Sequence, residues 1–595
     1  MKNSSLEGLD RIPEDHRYDR FDDGQVLYGK KQGRLPAMGW NSWNAFGSGN
    51  TEALTKAMAD KIKELSLDEL GYKYLVLDDG CYKDERIDGR LSNNEEKFPG
   101  GFKALADYIH GKGLKFGMYN DIGTNLCAGA AVGTCGHEKE DAEAYVSWDV
   151  DFLKVDNCYY LWDNATFSKE ENAKYVYAPA VTKVTLQGES FEAGIDLATA
   201  GSGIKTEKIG DETFFTFIGT FDGTGPAQTP VGPESGELFF DVDVPEAGEY
   251  ELTVRHINGK KIGMGSWLQI AEGEGAGSRI LFDDFLGDTD SDKVQETTVK
   301  VSLTRGKSRI RLMNHRRQEN TLYSYARLKE GLLEAAPDNE IIYSLCEWGK
   351  TQPQNWAKKV GDSWRILNDI TFNVGSDGNP GKAAWTSDYT TGVTSQYNKC
   401  VVMDEFAGLD KGWNDPDMMV IGMDGLNDAQ NRTHMVMWCM MNSPLMLGLD
   451  LRRVNKGDGL YNIIANKKLI ELNQDSLGVQ AKRVYCSLLK EAADKEYVTN
   501  NDRVDILAKP LSDGSVALSF INLSDEAKED SYSVTKEEIL KALKDKLYGD
   551  SFEKSGNYEI EDLWTGEVRD LDGEVFKVDR LEAFDNVTIR VIPKA

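Results

Sequence analysis

Residues 35–156 carry two alternating hydrophobic patterns. Leu54, Met58, Ile62 and Leu65 recur at helical spacing, and 102–110 also reads as a helix. Between such segments stand short apolar runs at 37–40, 72–77, 114–119 and 150–155. Strands buried on both faces and separated by amphipathic helices predict a parallel sheet with helical crossovers. The later runs stop at polar residues: Asp78-Asp79-Gly80, Asn120-Asp121 and Asp156-Asn157. The C-terminal strand ends are where a (β/α)8 barrel carries its site.

The alternation breaks near 175, where Gly, Thr, Val and acidic residues take over. Residues 239–244 and 250–255 alternate with period 2 around Pro245-Glu246-Ala247-Gly248 and read as a hairpin. Residues 299–303 and 308–312 read as a second hairpin across Arg305-Gly306-Lys307. This module is expected to be an all-β sandwich. The barrel pattern resumes with a helix at 325–335 and a strand at 341–345 that ends in Cys346-Glu347-Trp348. The run 365–370, the segment 413–418 and the run 444–448 bring the strands to about eight, enough to close a barrel. After Gly478 the chain turns β-rich. Residues 504–508 and 515–520 bracket Ser512-Asp513-Gly514 as a hairpin, and 586–591 is a last strand.

The expected fold is α/β: a TIM barrel over 1–174 and 322–480, interrupted by a β-sandwich at 175–321 and followed by an antiparallel β-sandwich at 481–595. The insert leaves the C-terminal end of the fourth strand, so it is expected near the site mouth.

Composition narrows the partners. A formal net charge of −30 disfavours nucleic acid and anionic membranes and fits a neutral substrate. No apolar stretch reaches the length of a membrane span. The first residues lack an apolar signal core, so the expected location is cytoplasmic, or secreted if the chain has been trimmed. The eight cysteines show no metal spacing, and Gly136-His137-Glu138-Lys139-Glu140 lacks the second His of a zinc motif. No metal and no cofactor is expected. Asp283-Asp284 and Asp288-Thr289-Asp290 read as solvated loop charge, with a structural calcium as the alternative. Cys346, Cys400, Cys439 and Cys486 read as buried small hydrophobes, and 435–441 as helix core.

Two segments carry the chemistry. Lys154-Val155-Asp156 and the stretch from Arg365 to Asp369 each deliver one carboxylate, with a cation two or four residues before it. A glycosidase needs such a pair, one carboxylate to attack the sugar and one to protonate the leaving oxygen. Lys154 and Arg365 are expected to lower the pKa of Asp156, and the Asp156 charge to raise that of Asp369.

Seven segments occur in one order: Met38-Gly39-Trp40-Asn41-Ser42-Trp43, Leu77-Asp78-Asp79, Gly117-Met118-Tyr119, Lys154-Val155-Asp156-Asn157-Cys158, Ser344-Leu345-Cys346-Glu347-Trp348-Gly349, Trp364-Arg365 with Asp369-Ile370, and Trp413-Asn414-Asp415-Pro416-Asp417-Met418. Together they resemble glycoside hydrolase family 27, a family of retaining α-galactosidases. The resemblance implies Asp156 as nucleophile and Asp369 as acid/base. It implies Trp43, Asp78, Asp79, Tyr119, Lys154, Cys158, Glu347, Trp348, Arg365 and Asp417 as sugar contacts. Asp78 and Asp79 would grip sugar hydroxyls, and Trp43 and Trp348 would face the ring. Glu347 stands where the family meets the 2-substituent, and its bulk implies a free 2-OH. Cys127 and Cys158 match a family disulfide. Cys81 is separated from Asp79 by Gly80, a departure from many members, and is expected to be free. The implied substrate is an oligosaccharide or glycoconjugate with terminal α-galactose, with self-association left open. A β-L-arabinopyranosidase, a transglycosylase and a carbohydrate-binding protein without turnover are the alternatives. The insert resembles carbohydrate-binding modules loosely, and a structural role is its other reading.

Overall fold

The computed structural model describes residues 31–594 outside 159–179, 219–236, 258–266, 274–278, 286–292, 314–317, 387–390 and a few shorter stretches. Eight parallel strands form its central sheet: β1 (Met38–Asn41), β2 (Tyr74–Val76), β3 (Lys115–Asp121), β4 (Phe152–Asp156), β5 (Ile342–Cys346), β6 (Ser363–Arg365), β7 (Trp413–Asp415) and β8 (Leu445–Leu447). β1 pairs with both β2 and β8. Met419, just beyond β7, bridges Leu447 of β8 and closes the ring. Backbones approach closely here. A Cβ on Gly39 would lie 2.0 Å from the Tyr74 carbonyl oxygen, so only glycine fits between β1 and β2.

The helices follow their apolar periods. In Glu52–Glu64, Leu54, Met58 and Ile62 are buried on one face, Thr51 caps the first turn, and Lys61 and Lys63 stand at the C-terminal end of the dipole. Residues 435–441 lie buried in and just after Asp428–Met440, which starts from an Asn427–Gln430 capping box. The run 365–370 is shorter than expected as a strand. Pairing stops at Arg365, which frees Asp369 to stand on a loop.

Between β4 and the helix Gln318–Ala335 the chain builds two antiparallel sheets. Their facing side chains form one cluster, with Val184, Leu252 and Val254 from one sheet and Phe240, Ile270 and Leu312 from the other. Neither expected hairpin of the insert forms. Glu237–Val244 pairs with Gly306–Met313, whereas Gly248–Ile257 pairs with Gln295–Leu303. Each short turn therefore crosses from one sheet to the other. Period-2 alternation sets which face is buried, and it leaves the partner strand open. Asp283 and Asp284 lie on the strand Arg279–Phe285 and not in a loop, while 288–290 fall outside the described residues. The last insert strand ends at Met313 and the next helix opens at Gln318, so helical structure resumes ahead of Thr321.

After the barrel, a six-stranded antiparallel sheet and a two-stranded one make the C-terminal β unit. Val504–Pro510 and Val516–Asn522 pair as the expected hairpin.

Candidate active site

Every candidate residue sits at or just beyond the C-terminal end of a barrel strand. Trp43 follows β1, and Asp78 and Asp79 follow β2. Tyr119 lies near the end of β3, and Lys154 and Asp156 end β4. Cys158 comes two residues later. Glu347 and Trp348 follow β5, Arg365 ends β6 with Asp369 four residues on, and Asp417 follows β7.

Asp156 is buried. Its Oδ1 accepts the Asn157 N–H at 2.9 Å and its Oδ2 accepts from the Tyr119 hydroxyl at 3.3 Å. Burial pushes its pKa up to about 7; Lys154 pulls it down, and Asp369 and Asp78 push it up. Lys154 thus acts in the expected direction, but desolvation wins. Arg365 is paired with two other carboxylates. It is spent on Asp417 at 2.7 Å and Asp369 at 3.1 Å. The Asp369 side chain is 60% exposed, in contrast to the nucleophile candidate.

Asp78 and Asp79 stand side by side with different partners. Asp78 Oδ2 accepts from Lys154 Nζ at 2.7 Å and Asn41 Nδ2 at 2.8 Å, and its N–H donates to Ser42 Oγ. Asp79 accepts backbone N–H groups of Gly80 and Ala128, each at 2.6 Å. Burial still pushes Asp79 up to about 6, with those backbone bonds opposing. Burial also works against the Lys154 charge, but Asp78 leads the neighbours that hold its pKa above the usual lysine range. Lys154 lies over the Tyr119 ring, 5.4 Å from its centroid.

Cys127 and Cys158 form a disulfide, their Cα atoms 5.2 Å apart. The Cys158 sulfur is therefore committed beside Asp156. Cys81, Cys346, Cys400, Cys439 and Cys486 are free and buried. Trp43 packs on Val76, Phe152, Ile342, Met418 and Met446, a cluster contributed mainly by barrel strands. Trp348 is held at φ +61° and Asp417 at φ +78°, left-handed conformations rare for non-glycine residues. Glu347 is fully buried. Lys399 lies near it, its pKa pushed down to about 8 by burial with Glu347 opposing.

Sequence reasoning passed over several residues of this site. Asp121 is fully buried at the end of β3, in register with Asp156, and accepts the Cys158 N–H at 2.6 Å. Burial, then the Asp156 charge, raises its pKa well above the carboxylate range. Its position at a strand end was the available signal. Asn41 and Ser42 hold Asp78, and Asp415 holds the Asp417 N–H at 2.8 Å. Thr391, Gln396 and Lys399 lie in a polar stretch without any such signal.

Residues 35–180 and 313–475 match the family model described as α-galactosidase A, and 501–591 match the α-galactosidase C-terminal β-sandwich domain. The chain belongs to glycoside hydrolase family 27. It is 26% identical to α-galactosidase A of Cellvibrio japonicus, across 94% of this chain and 93% of that one. It is also 26% identical to an α-galactosidase of Oryza sativa, across 76% of this chain and 66% of that one. Among solved structures it resembles the Saccharomyces cerevisiae α-galactosidase, with a TM-score of 0.59, 21% identity, and 94% and 98% of the two chains covered. As a family 27 member the protein is a glycoside hydrolase, and the family match skips 181–312, the body of the insert.

Proposed function

We propose that this family 27 enzyme is a retaining exo-α-galactosidase that removes terminal α-linked galactose from oligosaccharides or glycoconjugates. One observation carries the reading: a buried carboxylate, Asp156, at the end of β4 and an exposed one, Asp369, on the loop after β6 both stand at the C-terminal face of the barrel. Asp156 attacks the anomeric carbon while Asp369 gives its proton to the leaving oxygen. The glycosyl ester then forms, and Asp369 takes a proton from the water that opens it.

Asp78, fixed by Lys154 and Asn41, and Asp79, fixed by two backbone N–H groups, are rigid acceptors for sugar hydroxyls. Each charge-assisted hydrogen bond is worth ~1.5–3 kcal/mol, enough to select one epimer. Glu347, buried beside Lys399, is the bulky residue that the family places at the 2-substituent, which favours a free 2-OH. Relatives of the chain are named α-galactosidases, and one Saccharomyces cerevisiae α-galactosidase structure is described with raffinose. Oligosaccharides with terminal α-galactose are accordingly the substrate class.

The test compares 4-nitrophenyl α-D-galactopyranoside, β-L-arabinopyranoside and α-N-acetylgalactosaminide, with Asp156→Asn as control. The galactoside is turned over and the mutant loses at least ~10³-fold. A preference for the arabinoside would move the reading to the arabinopyranosidases. Binding without turnover of any substrate would end it.

A further inference from the structure

The acid/base carboxylate of Asp369 is mostly exposed, and the Arg365 guanidinium reaches it at 3.1 Å. One contact does not fix an exposed side chain on a loop, so its aim must come from the backbone that carries it. That backbone is gripped from both sides. The Ile370 N–H donates to Asp417 Oδ2 at 2.8 Å. Thr391 Oγ1 lies 2.8 Å from the Asn368 carbonyl oxygen and 2.6 Å from that of Asp369. Gln396 Nε2 donates to the Asn368 carbonyl at 2.5 Å and to Thr391 Oγ1 at 3.0 Å. Thr391 and Gln396 are both fully buried.

Gln396 belongs to the short helix Val393–Cys400, which is tied to the C-terminal sandwich along its length. Asn501 donates to Thr394 Oγ1 at 3.0 Å, Arg503 donates to Asn398 Oδ1 at 2.6 Å, and the Tyr397 hydroxyl donates to Asp505 at 3.1 Å. Arg503 and Asp505 are themselves fully buried. Hydrogen bonds from the sandwich thus hold the helix whose Gln396 bonds the Asn368 carbonyl and Thr391, the two contacts on the peptide groups that carry Asp369.

We propose that Thr391 and Gln396 are positioning residues for the Asp369 acid/base, with the C-terminal sandwich anchoring the helix that presents Gln396. The proposal rests on Asp369 being the acid/base. A displacement of about 1 Å at a reacting group can cost roughly 100-fold, and general-acid assistance is worth ~10²–10⁴-fold.

The experiment measures kcat/KM for phenyl α-galactoside and for α-galactosyl fluoride. With the phenyl substrate the C–O bond breaks as the phenolic oxygen takes the Asp369 proton. With the fluoride the C–F electron pair leaves on fluoride and needs no proton from the enzyme. Because kcat/KM covers steps only up to formation of the glycosyl ester, the later role of Asp369 as base does not intrude. Asp369→Ala is the reference and should slow the phenyl substrate by ~10²-fold or more, with the fluoride far less affected. Thr391→Val should slow the phenyl substrate about 10- to 100-fold and the fluoride less than about threefold, and Thr391→Ser should restore the phenyl rate. Gln396→Ala and the sandwich variant Asn501→Ala should show the same selectivity to a smaller degree, and they carry the test should Thr391→Val fail to fold. If Asp369→Ala slows both substrates alike, the acid/base assignment falls. If Asp369→Ala discriminates but the positioning variants slow both substrates equally, or neither, the proposal is overturned.

Discussion

The molecule carries two β units beside its barrel, and they are joined to it in opposite ways. The insert closes on itself. Among the described residues its core cluster runs from Val181 to Leu312 and takes in no barrel side chain. The C-terminal unit has a core of its own, yet Leu507, Leu511, Ala517, Ile521, Leu523 and Leu563 belong to the barrel's cluster. Polar contacts reinforce that seam. Trp385 donates to the Leu523 carbonyl at 3.1 Å, Thr433 to that of Phe584 at 2.7 Å, and Asn466 to that of Leu563 at 3.0 Å. A shared core couples stabilities, whereas a separate core lets one unit unfold without the other. The family match follows the same division, covering 501–591 and skipping 181–312.

The largest effect should come from removing each unit. Truncation before Asn501 exposes the apolar seam and is expected to leave no soluble active enzyme. Excision of the insert by joining residue 180 to residue 313 should leave a folded barrel that keeps at least about a tenth of its turnover of a small aryl galactoside. That fraction is less than ~1.4 kcal/mol of the barrier. Expression, circular dichroism and turnover of the two variants decide it. An inactive excised protein would mean that the insert completes the site, and the comparison would break there.

A smaller and sharper contrast uses one ion pair from each unit. Asp505 is fully buried between Arg503, at 3.1 Å, and Arg483, at 3.6 Å. Asp505→Ala leaves two buried guanidinium groups without their carboxylate and should cost about 3–5 kcal/mol. The main unfolding transition and activity should fall together. Arg255 and Glu212 pair at 2.7 Å on the insert surface, where water and salt screen them. Arg255→Ala should leave the main transition and the turnover unchanged. Calorimetry with parallel activity assays separates the two outcomes.

The barrel could be read from the chain because strands buried on both faces and helices of period 3.6 leave different marks, repeated in order. The candidate carboxylates could be read because they end those strands or follow them within a few residues. Strand pairing in the insert was hidden: 239–244 and 250–255 bury alternate residues whichever strand lies beside them, and both turns proved to be crossings between sheets. The electrostatic balance at Asp156 was hidden too. Charges are visible in a sequence, whereas the desolvation that outweighs Lys154 exists only once the chain has packed. The grip on Asp369 left the faintest trace. It acts through peptide carbonyls 22 to 28 residues away, and peptide carbonyls are common to every sequence.

The smallest expected effect separates the two regions by the sign of their response to acid. Burial raises Asp156 to about 7, and Asp79 and Asp415 to about 6, so these barrel carboxylates hold protons in the folded state that the unfolded chain has released. Their contribution to stability is complete below pH ~4 and is lost as pH rises through 6 to 7. In the insert, Glu212 and Asp241 are lowered by hydrogen bonds from Arg255 and Arg309, and Glu272 is lowered by Ser308 and Arg279 against its partial burial. Stabilisation from that source is present above pH ~4.5 and is lost as pH falls below it. Calorimetry at pH 7.5, 5 and 3.5 should therefore show the barrel transition moving up between the first two. The insert transition should stay in place there and move down only at the third. Asp156→Asn should reduce the barrel shift, because it removes one of the raised carboxyl groups. If both transitions move together, the two units share one cooperative core, and the insert is not the separate body its hydrophobic cluster describes.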